Sequence, residues 1–303
     1  MNDEVRGMVE QTSLLLGKKL GSKPSWIASH PCFNPKANFR YSRLHLPVAP
    51  KCNIQCKYCG RGISKFEYGP GVTSSMIKPE EAVRLVDEII KIDRRLRVVA
   101  IAGPGEPLFN NETFTTLKLI DEKYPDIIKC IATNGLLLQE KVADLKNLGV
   151  KTITITINAL DPVVASKIYD FIILDKRIMQ GLEAAKTLIE RQLKGLRTAV
   201  DEGLIVKVNT VLIPRLNDRE AVKVAKKVAE LGAFVQNIIP LIPLSSFKDY
   251  KPPTCEELKA VRKKASKFIN QFKLCRQCRA DSYGIPGLEK ASMHEIFQLN
   301  FHA

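Results

Sequence analysis

Three cysteines lie close together at Cys52, Cys56 and Cys59, separated by three and then by two residues. They follow an apolar run at residues 44–50, so a tight loop after a strand can turn three thiolates toward one point. A closed structural zinc site takes four ligands, and this loop supplies three. Closely spaced thiolates also bind iron–sulfur clusters. A 4Fe–4S cluster held by three cysteines keeps one iron free, and this is the chemistry that the spacing favours.

Further soft metal ligands remain after this triplet is counted. They are His30, Cys32, His45, Cys130, Cys275 and Cys278. Cys275 and Cys278 have a metal-ligand spacing but are two ligands short of a closed site. Cys130 lies within a predicted strand, where a buried free cysteine is commonly a small hydrophobic residue. Together the surplus is enough for two more clusters, and its clustering argues for metal binding rather than disulfides.

The length and composition suit a soluble globular protein. The chain has 303 residues, 45% of them hydrophobic, and no composition shift that would mark a linker, so we expect one domain. No apolar run is long enough to span a bilayer, and no cleavable leader is recognisable. We therefore expect a cytoplasmic protein without a membrane partner.

The formal net charge of +15 raises the question of a nucleic-acid partner. The basic residues are spread along predicted helices, and no basic motif is interleaved with aromatic residues. A solvated basic surface is the simpler interpretation, and no nucleic-acid partner is expected. A second hypothesis is that the positive field attracts anionic cargo, because clusters with thiolate ligands are usually anionic.

Apolar runs and amphipathic segments alternate along most of the chain. Strands are predicted at residues 44–48, 97–102, 127–132, 152–157, 204–213 and 234–242. Helices are predicted at residues 79–94, 112–123, 137–147, 162–174, 178–200, 218–231 and 255–272, with another near 5–20. This alternation predicts an α/β fold with a parallel sheet covered by helices. Periodicity alone does not separate a barrel from a doubly wound sheet.

Polar residues follow the predicted strands, where such folds place their chemistry. The second strand is followed by Gly103-Pro-Gly105-Glu106-Pro, the fourth by Asn158, and the fifth carries Asn209. Glycine lets a backbone approach a ligand closely, and carboxylates or exposed carbonyls accept hydrogen bonds from an ammonium group. The same residues also build turns and helix caps, so on their own they are ambiguous.

The cysteine spacing resembles that of the radical SAM superfamily, and residues 30–290 resemble the NifB family of nitrogenase cofactor assembly. The resemblance rests on His30-Pro-Cys-Phe-Asn, on His45-Leu-Pro-Val-Ala-Pro-Lys-Cys-Asn-Ile-Gln-Cys, on Gly103-Pro-Gly-Glu-Pro-Leu, on Asn209-Thr-Val-Leu-Ile-Pro and on Cys275-Arg-Gln-Cys-Arg-Ala-Asp. It implies a partial (β/α)6 TIM-like barrel whose mouth is closed by N- and C-terminal extensions. We expect a single radical SAM domain over 1–303, with the N-terminal extension at 1–43, the barrel at 44–272 and a C-terminal cluster-binding extension at 273–303.

The resemblance also implies two resident cofactors. A 4Fe–4S cluster would be held by Cys52, Cys56 and Cys59, and S-adenosyl-L-methionine (SAM) would bind its free iron. Gly105 and Glu106 would hold the amino group of SAM. Asn158 and Asn209 are candidates for its ribose or carboxylate, with capping as the alternative role.

The implied reaction joins two further 4Fe–4S precursor clusters into an eight-iron cluster with nine sulfurs and a central carbide. This product, NifB-co or the L-cluster, is a nitrogenase cofactor precursor. Methyl transfer from one SAM would supply the carbon, and a 5′-deoxyadenosyl radical from another would abstract hydrogen from it. His45, Cys32 and Cys130 are assigned to the precursor cluster nearest SAM and the pair Cys275 and Cys278 to the other, with the place of Cys32 open.

One segment departs from the family pattern. Glu67 matches a family glutamate and is a candidate proton acceptor or exchangeable cluster ligand, or else a solvated surface residue. Gly69 stands where many members carry arginine, which puts the role of that arginine in doubt here. Many bacterial members also continue into a carrier domain, and we expect a stand-alone form without it.

The expected partners are an iron–sulfur cluster donor, cofactor-carrier proteins and an electron donor such as ferredoxin. Two alternatives stay open. One is a different radical SAM enzyme with a single auxiliary cluster and an organic substrate. The other is a basic zinc-binding nucleic-acid module, which leaves the Gly-Pro-Gly-Glu-Pro element unexplained.

Overall fold

A computed structural model describes residues 24–288 of the chain. The helix predicted near residues 5–20 and the end of the C-terminal extension lie outside the described residues. The strands are β1 (Ser42–His45), β2 (Ile54–Cys56), β3 (Gly62–Ile63), β4 (Val72–Thr73), β5 (Leu96–Ile101), β6 (Ile128–Thr133), β7 (Val150–Thr156), β8 (Tyr169–Leu174), β9 (Arg177–Gln180), β10 (Ile205–Leu212), β11 (Val235–Pro240) and β12 (Tyr283–Gly284). The α-helices are α1 (Pro35–Asn38), α2 (Pro79–Ile92), α3 (Asn111–Lys123), α4 (Leu138–Asn147), α5 (Pro162–Ile168), α6 (Gly181–Asp201), α7 (Asp218–Glu230) and α8 (Cys255–Ala265).

The six predicted strands form one parallel sheet in the order β1, β5, β6, β7, β10, β11. β12 adds an antiparallel edge strand beside β1. The order follows the sequence in one direction, without the reversal that marks a doubly wound sheet. The predicted partial barrel is therefore confirmed.

The two faces of this sheet bury different residues, because successive strand residues point to opposite sides. Val99, Ile101, Val206 and Val208 pack into the large core that also contains the outer helices. Their neighbours Val98, Ala100, Lys207 and Asn209 face the inside of the barrel and line a cavity. The helices and the cavity thus lie on opposite faces.

The predicted helices at 162–174 and 178–200 are wrong over residues 169–174 and 178–180. α5 ends at Ile168, and β8 and β9 form an antiparallel hairpin before α6 begins. Asp175 and Lys176 in its two-residue turn have φ values of 49° and 64°. Positive φ at both positions is typical of the hairpin turn whose twist matches that of its strands. The aromatic and β-branched content of β8 favours a strand over a helix.

The hairpin supports the cysteine loop. β8 pairs antiparallel with β2, which contains Cys56, with Ile54 opposite Ile172. Ile172 is fully buried in a second core cluster that also contains Ile54 and borders Cys52 and Cys56. The cysteine loop is therefore held in place by the pairing of β2 with the partly buried strand β8.

The predicted helix at 255–272 ends earlier, at Ala265. The chain then runs beside β11, where the N–H of Gln236 donates to the carbonyl of Asn270 and the N–H of Phe272 donates to the carbonyl of Gln236. These sheet-like hydrogen bonds replace helical ones and carry Phe272 into the barrel.

The described parts of both extensions close the inside of the barrel. Ile27 and Phe33 of the N-terminal extension are buried in a cluster with Ile128, Ile205 and Val235 at the starts of β6, β10 and β11. Phe272 is buried in the same cluster, and Leu274 and Cys275 of the C-terminal extension pack against it. The C-terminal extension continues past Cys275 and Cys278 to β12, at the edge of the sheet. No helix among residues 24–288 is long and apolar enough to cross a membrane.

Candidate iron–sulfur site

One cavity on the inner face of the sheet gathers most of the predicted ligands. It is lined by seven of the eight cysteines, while Cys255 is exposed elsewhere. The predicted site residues that line it are Cys32, His45, Cys52, Cys56, Cys59, Gly105, Glu106, Cys130, Asn209, Cys275 and Cys278. Glu67 and Asn158 do not belong to its lining. Residues far apart in sequence thus line one cavity.

The sulfurs of the cysteine loop each have a hydrogen-bond donor nearby. Cys52 has the Ile54 N–H, Cys56 has the Tyr58 hydroxyl and Cys59 has the Arg61 guanidinium. Burial raises the pKa of Cys52 to about 11 and that of Cys56 well above its usual value, and these donors oppose the shift. Donors directed at sulfur suit thiolates that bind a cluster.

The described ligand side chains do not form a compact site for a single ion. Among residues 24–288, no three His, Cys, Asp or Glu side chains converge closely enough to hold one metal ion. In a 4Fe–4S cluster each thiolate binds a different iron, so its ligands stand farther apart than the ligands of a single zinc ion.

The Gly103–Pro107 loop packs directly against the segment that leads into Cys52. The Gly105 N–H donates to Ala49 (2.7 Å) and the Glu106 N–H donates to the Lys51 carbonyl (2.8 Å). A Cβ atom at Gly105 would lie 2.3 Å from the Lys51 oxygen, so this position admits only glycine. The sequence predicts that the glycine backbone approaches a ligand closely. In the structure, Gly105 makes its close approach to the segment before Cys52.

The Glu106 carboxylate is buried and already hydrogen-bonded. It accepts from the Thr133 hydroxyl (2.5 Å), the Asn134 N–H (2.7 Å) and the Leu108 N–H (3.1 Å). Burial raises its pKa to about 7, although these three donors favour the charged form. The carboxylate ties the end of β5 to the end of β6, so its evident work is to position the loops at the cavity edge.

Asn158 is fully buried behind the cysteine loop. Its amide donates to the hydroxyls of Tyr58 (2.9 Å) and Tyr169 (3.0 Å), and its oxygen accepts from the Val211 N–H (2.8 Å). All of its polar atoms are thereby used inside the protein. Its contact with Tyr58 connects it to Cys56, since the Tyr58 hydroxyl is the donor beside that sulfur.

Asn209 lies on the inner face of β10 and lines the cavity, and its oxygen accepts from the Asn237 amide (2.9 Å). It is therefore the asparagine of the two that faces the space where SAM is expected.

A second group of four thiols lies deeper in the barrel. Burial raises the pKa of Cys32. The charges of Lys207 and Arg43 lower this pKa, and the neighbouring thiols of Cys130 and Cys275 raise it. Burial likewise raises the pKa of Cys278 to about 11. The Arg43 guanidinium donates to the Cys278 sulfur at 2.9 Å. Cys32 thus lies within electrostatic range of both Cys130 and Cys275.

His45 presents one ring nitrogen to the cavity. Its Nδ1 lies 3.0 Å from the Arg279 carbonyl oxygen, which can only accept, so Nδ1 carries the proton. Burial, with Arg43 next, lowers the pKa of His45 to about 4, so the imidazole is neutral. A neutral imidazole with Nδ1–H bonded to a carbonyl leaves its Nε2 lone pair for a metal.

His30 has a different environment. Its Nδ1 accepts from the Cys32 N–H (3.1 Å), and its Nε2 lies 3.2 Å from the Thr152 hydroxyl. Both nitrogens are engaged, so His30 holds the segment that carries Cys32.

Glu67 lies on an exposed loop at the cavity mouth. Arg279 donates to the backbone carbonyls of Glu67 and Ser64, and it pairs with Asp281 at 2.8 Å. The Glu67 side chain points outside the cavity lining. Gly69 has a φ of 133°, so an arginine in this backbone would be strained.

Two buried cations were not predicted as site residues. Arg43 and Lys207 both line the cavity, on β1 and β10. Each is a charged residue within an apolar run, and this is the signal that could have identified it. Arg43 lies two positions before His45, and Lys207 lies two positions before Asn209. Tyr58 and Arg61 were missed as well, because their role depends on contacts with the cysteine sulfurs.

Comparison with known proteins agrees with this geometry. The Radical SAM superfamily profile matches residues 46–228. The FeMo cofactor biosynthesis protein NifB of Methanocaldococcus infernus is 50% identical over 283 residues, covering 93% of this chain and 93% of that protein. The protein of the same name from Klebsiella pneumoniae is 42% identical, covering 87% of this chain and 58% of that one. The crystal structure of methylornithine synthase (PylB) shares the fold, with a TM-score of 0.52 at 10% identity over 91% of this chain and 83% of that one. The chain belongs to the NifB family of radical SAM enzymes.

Proposed function

We propose that this enzyme fuses two 4Fe–4S clusters and inserts a SAM-derived carbide and an extra sulfur. The product would be the 8Fe–9S–C precursor of the nitrogenase cofactor, NifB-co or the L-cluster. Iron–sulfur cluster donors, cofactor carriers and an electron donor such as ferredoxin are the partners that this activity requires.

The observation that carries this proposal is a single cavity that joins two separate groups of thiols. The first group is the cysteine loop, with its three sulfurs and their donors. The second is the deeper group of four thiols with His45, Arg43 and Lys207. One cluster needs only the first group, so the second supports the proposal that further clusters bind here.

The resident cofactors fit the first group. Cys52, Cys56 and Cys59 would hold the 4Fe–4S cluster, and Gly105, Glu106 and Asn209 stand beside it at the cavity edge. When bound, the cluster and SAM supply a methyl group and a 5′-deoxyadenosyl radical. The chain contributes by fixing the cysteine loop through β8, Gly105 and the Tyr58–Asn158 contact.

The second group suits a substrate that arrives and leaves. A neutral imidazole such as His45 leaves iron more readily than a thiolate does. Arg43 and Lys207 offset the negative charge of thiolates and cluster sulfides in a buried space. The packing of Phe33 and Phe272 over the starts of β6, β10 and β11 shields that end of the barrel from water. Glu67 would take part only after the mouth loop moves inward, because its side chain is exposed in the present arrangement.

The test is an anaerobic assay with reconstituted protein, SAM and dithionite. We expect both 5′-deoxyadenosine and S-adenosylhomocysteine, each dependent on a full load of clusters. If 5′-deoxyadenosine forms without S-adenosylhomocysteine, radical SAM chemistry stands and cluster fusion falls. Iron content well below three clusters per chain would instead favour a radical SAM enzyme with one auxiliary cluster and an organic substrate.

A further inference from the structure

Lys207 is a buried cation without a carboxylate partner in the described chain. It is 5% exposed, and none of the salt bridges within residues 24–288 includes it. Lys129 offers a contrast, because this second buried lysine pairs with Asp121 at 2.5 Å. Taking an ammonium out of water is costly unless something replaces its hydration.

The surroundings of Lys207 replace only part of that hydration. Its Nζ lies 5.0 Å from the Phe33 ring centre and 5.7 Å from that of Phe272. Aromatic faces attract a cation without occupying its N–H groups. The Cys32 carbonyl accepts one hydrogen bond, at 3.3 Å, and an ammonium has three donors. Two donors therefore lack an acceptor among the described residues.

The position of Lys207 points these donors toward the deeper thiols. Lys207 pairs with Thr154 across β10 and β7, and Thr154 pairs with Ala132 on β6, two residues beyond Cys130. All three side chains line the cavity. The charge of Lys207 also acts on Cys32 and Cys130, where it lowers the thiol pKa against the effect of burial.

We propose that the Lys207 ammonium is a binding group for anionic iron–sulfur cargo and donates hydrogen bonds to cluster sulfide or thiolate sulfur beside Cys32 and Cys130. This inference rests on the proposed function, because it assigns a residue to the cargo that the function requires. Lys207 would favour loading by neutralising charge, and it would not ligate iron itself.

The test compares cargo loading in Lys207→Met and in the unaltered chain. Methionine keeps an apolar stem between Phe33 and Phe272 but removes the charge. Each protein is titrated anaerobically with iron and sulfide, and its clusters are counted by Mössbauer spectroscopy. The cluster whose electron paramagnetic resonance signal shifts on SAM addition serves as the internal reference. We expect cargo loading in Lys207→Met to need about tenfold more iron and sulfide, since one charge-assisted contact is lost.

Two further variants keep the test decisive. Lys207→Arg retains the charge, so we expect it to load cargo better than Lys207→Met. Lys129→Met removes a buried lysine that already pairs with Asp121. It therefore controls for the general effect of replacing a buried lysine by methionine. Equal cargo loading in Lys207→Met and the unaltered chain would overturn the inference, and so would equally poor loading in the methionine and arginine variants. If the unaltered chain binds only the SAM-responsive cluster, the proposed function itself fails.

Discussion

Glu106 shows how one buried carboxylate organises the edge of the site. It accepts one hydroxyl and two backbone N–H groups from three different residues, and its own N–H donates to the cysteine loop. A buried carboxylate satisfied in this way fixes the relative positions of two strand ends. If this loop holds SAM, as proposed above, the Glu106 carboxylate would contribute by positioning the backbone of the loop.

Replacing Glu106 by glutamine tests this positioning role. The glutamine oxygen can still accept from Thr133 and Leu108. The glutamine NH2 group then lies against the Asn134 N–H, and two donors cannot form a hydrogen bond. We expect Glu106→Gln to lower the free energy of unfolding by about 1–3 kcal/mol, as when a buried donor loses its acceptor. Denaturant unfolding of the cluster-free protein measures this change.

Glu67→Gln is the matched control for Glu106→Gln, because the Glu67 side chain is exposed. It should leave the unfolding midpoint unchanged. Equal stability in the two variants would show that the Glu106 hydrogen bonds contribute little.

The two histidines of the cavity should respond differently to truncation. His45→Ala removes an imidazole whose Nε2 is available, so we expect less cargo iron per chain with little loss of stability. His30→Ala leaves the Cys32 N–H without its acceptor and opens a cavity at a fully buried position, so we expect a loss of about 3 kcal/mol in the free energy of unfolding. Iron analysis and denaturant unfolding of both variants separate these outcomes. A large loss of stability in His45→Ala would contradict the assignment.

At the residue scale, spacing predicted which cysteines gather but not what surrounds them. The triplet is local in sequence, so its loop is visible in a few residues. The partners of Glu106 and Asn158 are set by the fold, such as Tyr58, which is 100 residues from Asn158. Asn158 and Asn209 look alike as asparagines near strand ends, and only the packing shows that Asn209 alone lines the cavity.

At the element scale, the hairpin β8–β9 supports the cysteine loop by pairing with β2. Ile172 lies opposite Ile54 and is fully buried, whereas Ile178 of β9 is 68% exposed. The same substitution can therefore be made at two positions of one hairpin. At Ile172 it removes a core side chain, and at Ile178 it does not.

We expect Ile172→Ala to lower the free energy of unfolding by about 2–5 kcal/mol, because it leaves a cavity beneath β2. The cluster held by Cys52, Cys56 and Cys59 should then be lost faster to a chelator, as measured by the decay of its visible absorbance under anaerobic conditions. Ile178→Ala should change neither quantity by a comparable amount. Equal rates of cluster loss in the two variants would argue that β8 does not support the loop.

The sequence pattern identified the barrel strands because long apolar runs between amphipathic helices are distinctive. It misassigned residues 169–174 and 178–180 because a short apolar segment between two helices fits either period. The pairing of β8 with β2 supplies the missing constraint, and it is a contact between segments more than 100 residues apart. The fold was thus largely predictable, while the element that steadies the site was not.

At the scale of the whole molecule, both extensions contribute to the cavity. Cys32 comes from the N-terminal side, and Cys275 and Cys278 come from the C-terminal side. Phe33 and Phe272 seal the interior between them. If these cysteines bind the iron–sulfur cargo, then the bound cargo links the N-terminal and C-terminal extensions.

Cargo loading should therefore slow amide hydrogen exchange in both extensions at once. We expect at least about a tenfold decrease at residues 30–34 and 275–281, because local opening would then require cluster ligands to dissociate. The outer helix α7 provides the internal reference, since it lies on the opposite face of the sheet and should be unaffected. The measurement compares protein carrying only the SAM-responsive cluster with fully loaded protein. Slower exchange in only one extension would remove the other extension from the ligand set, and unchanged exchange in both would remove both.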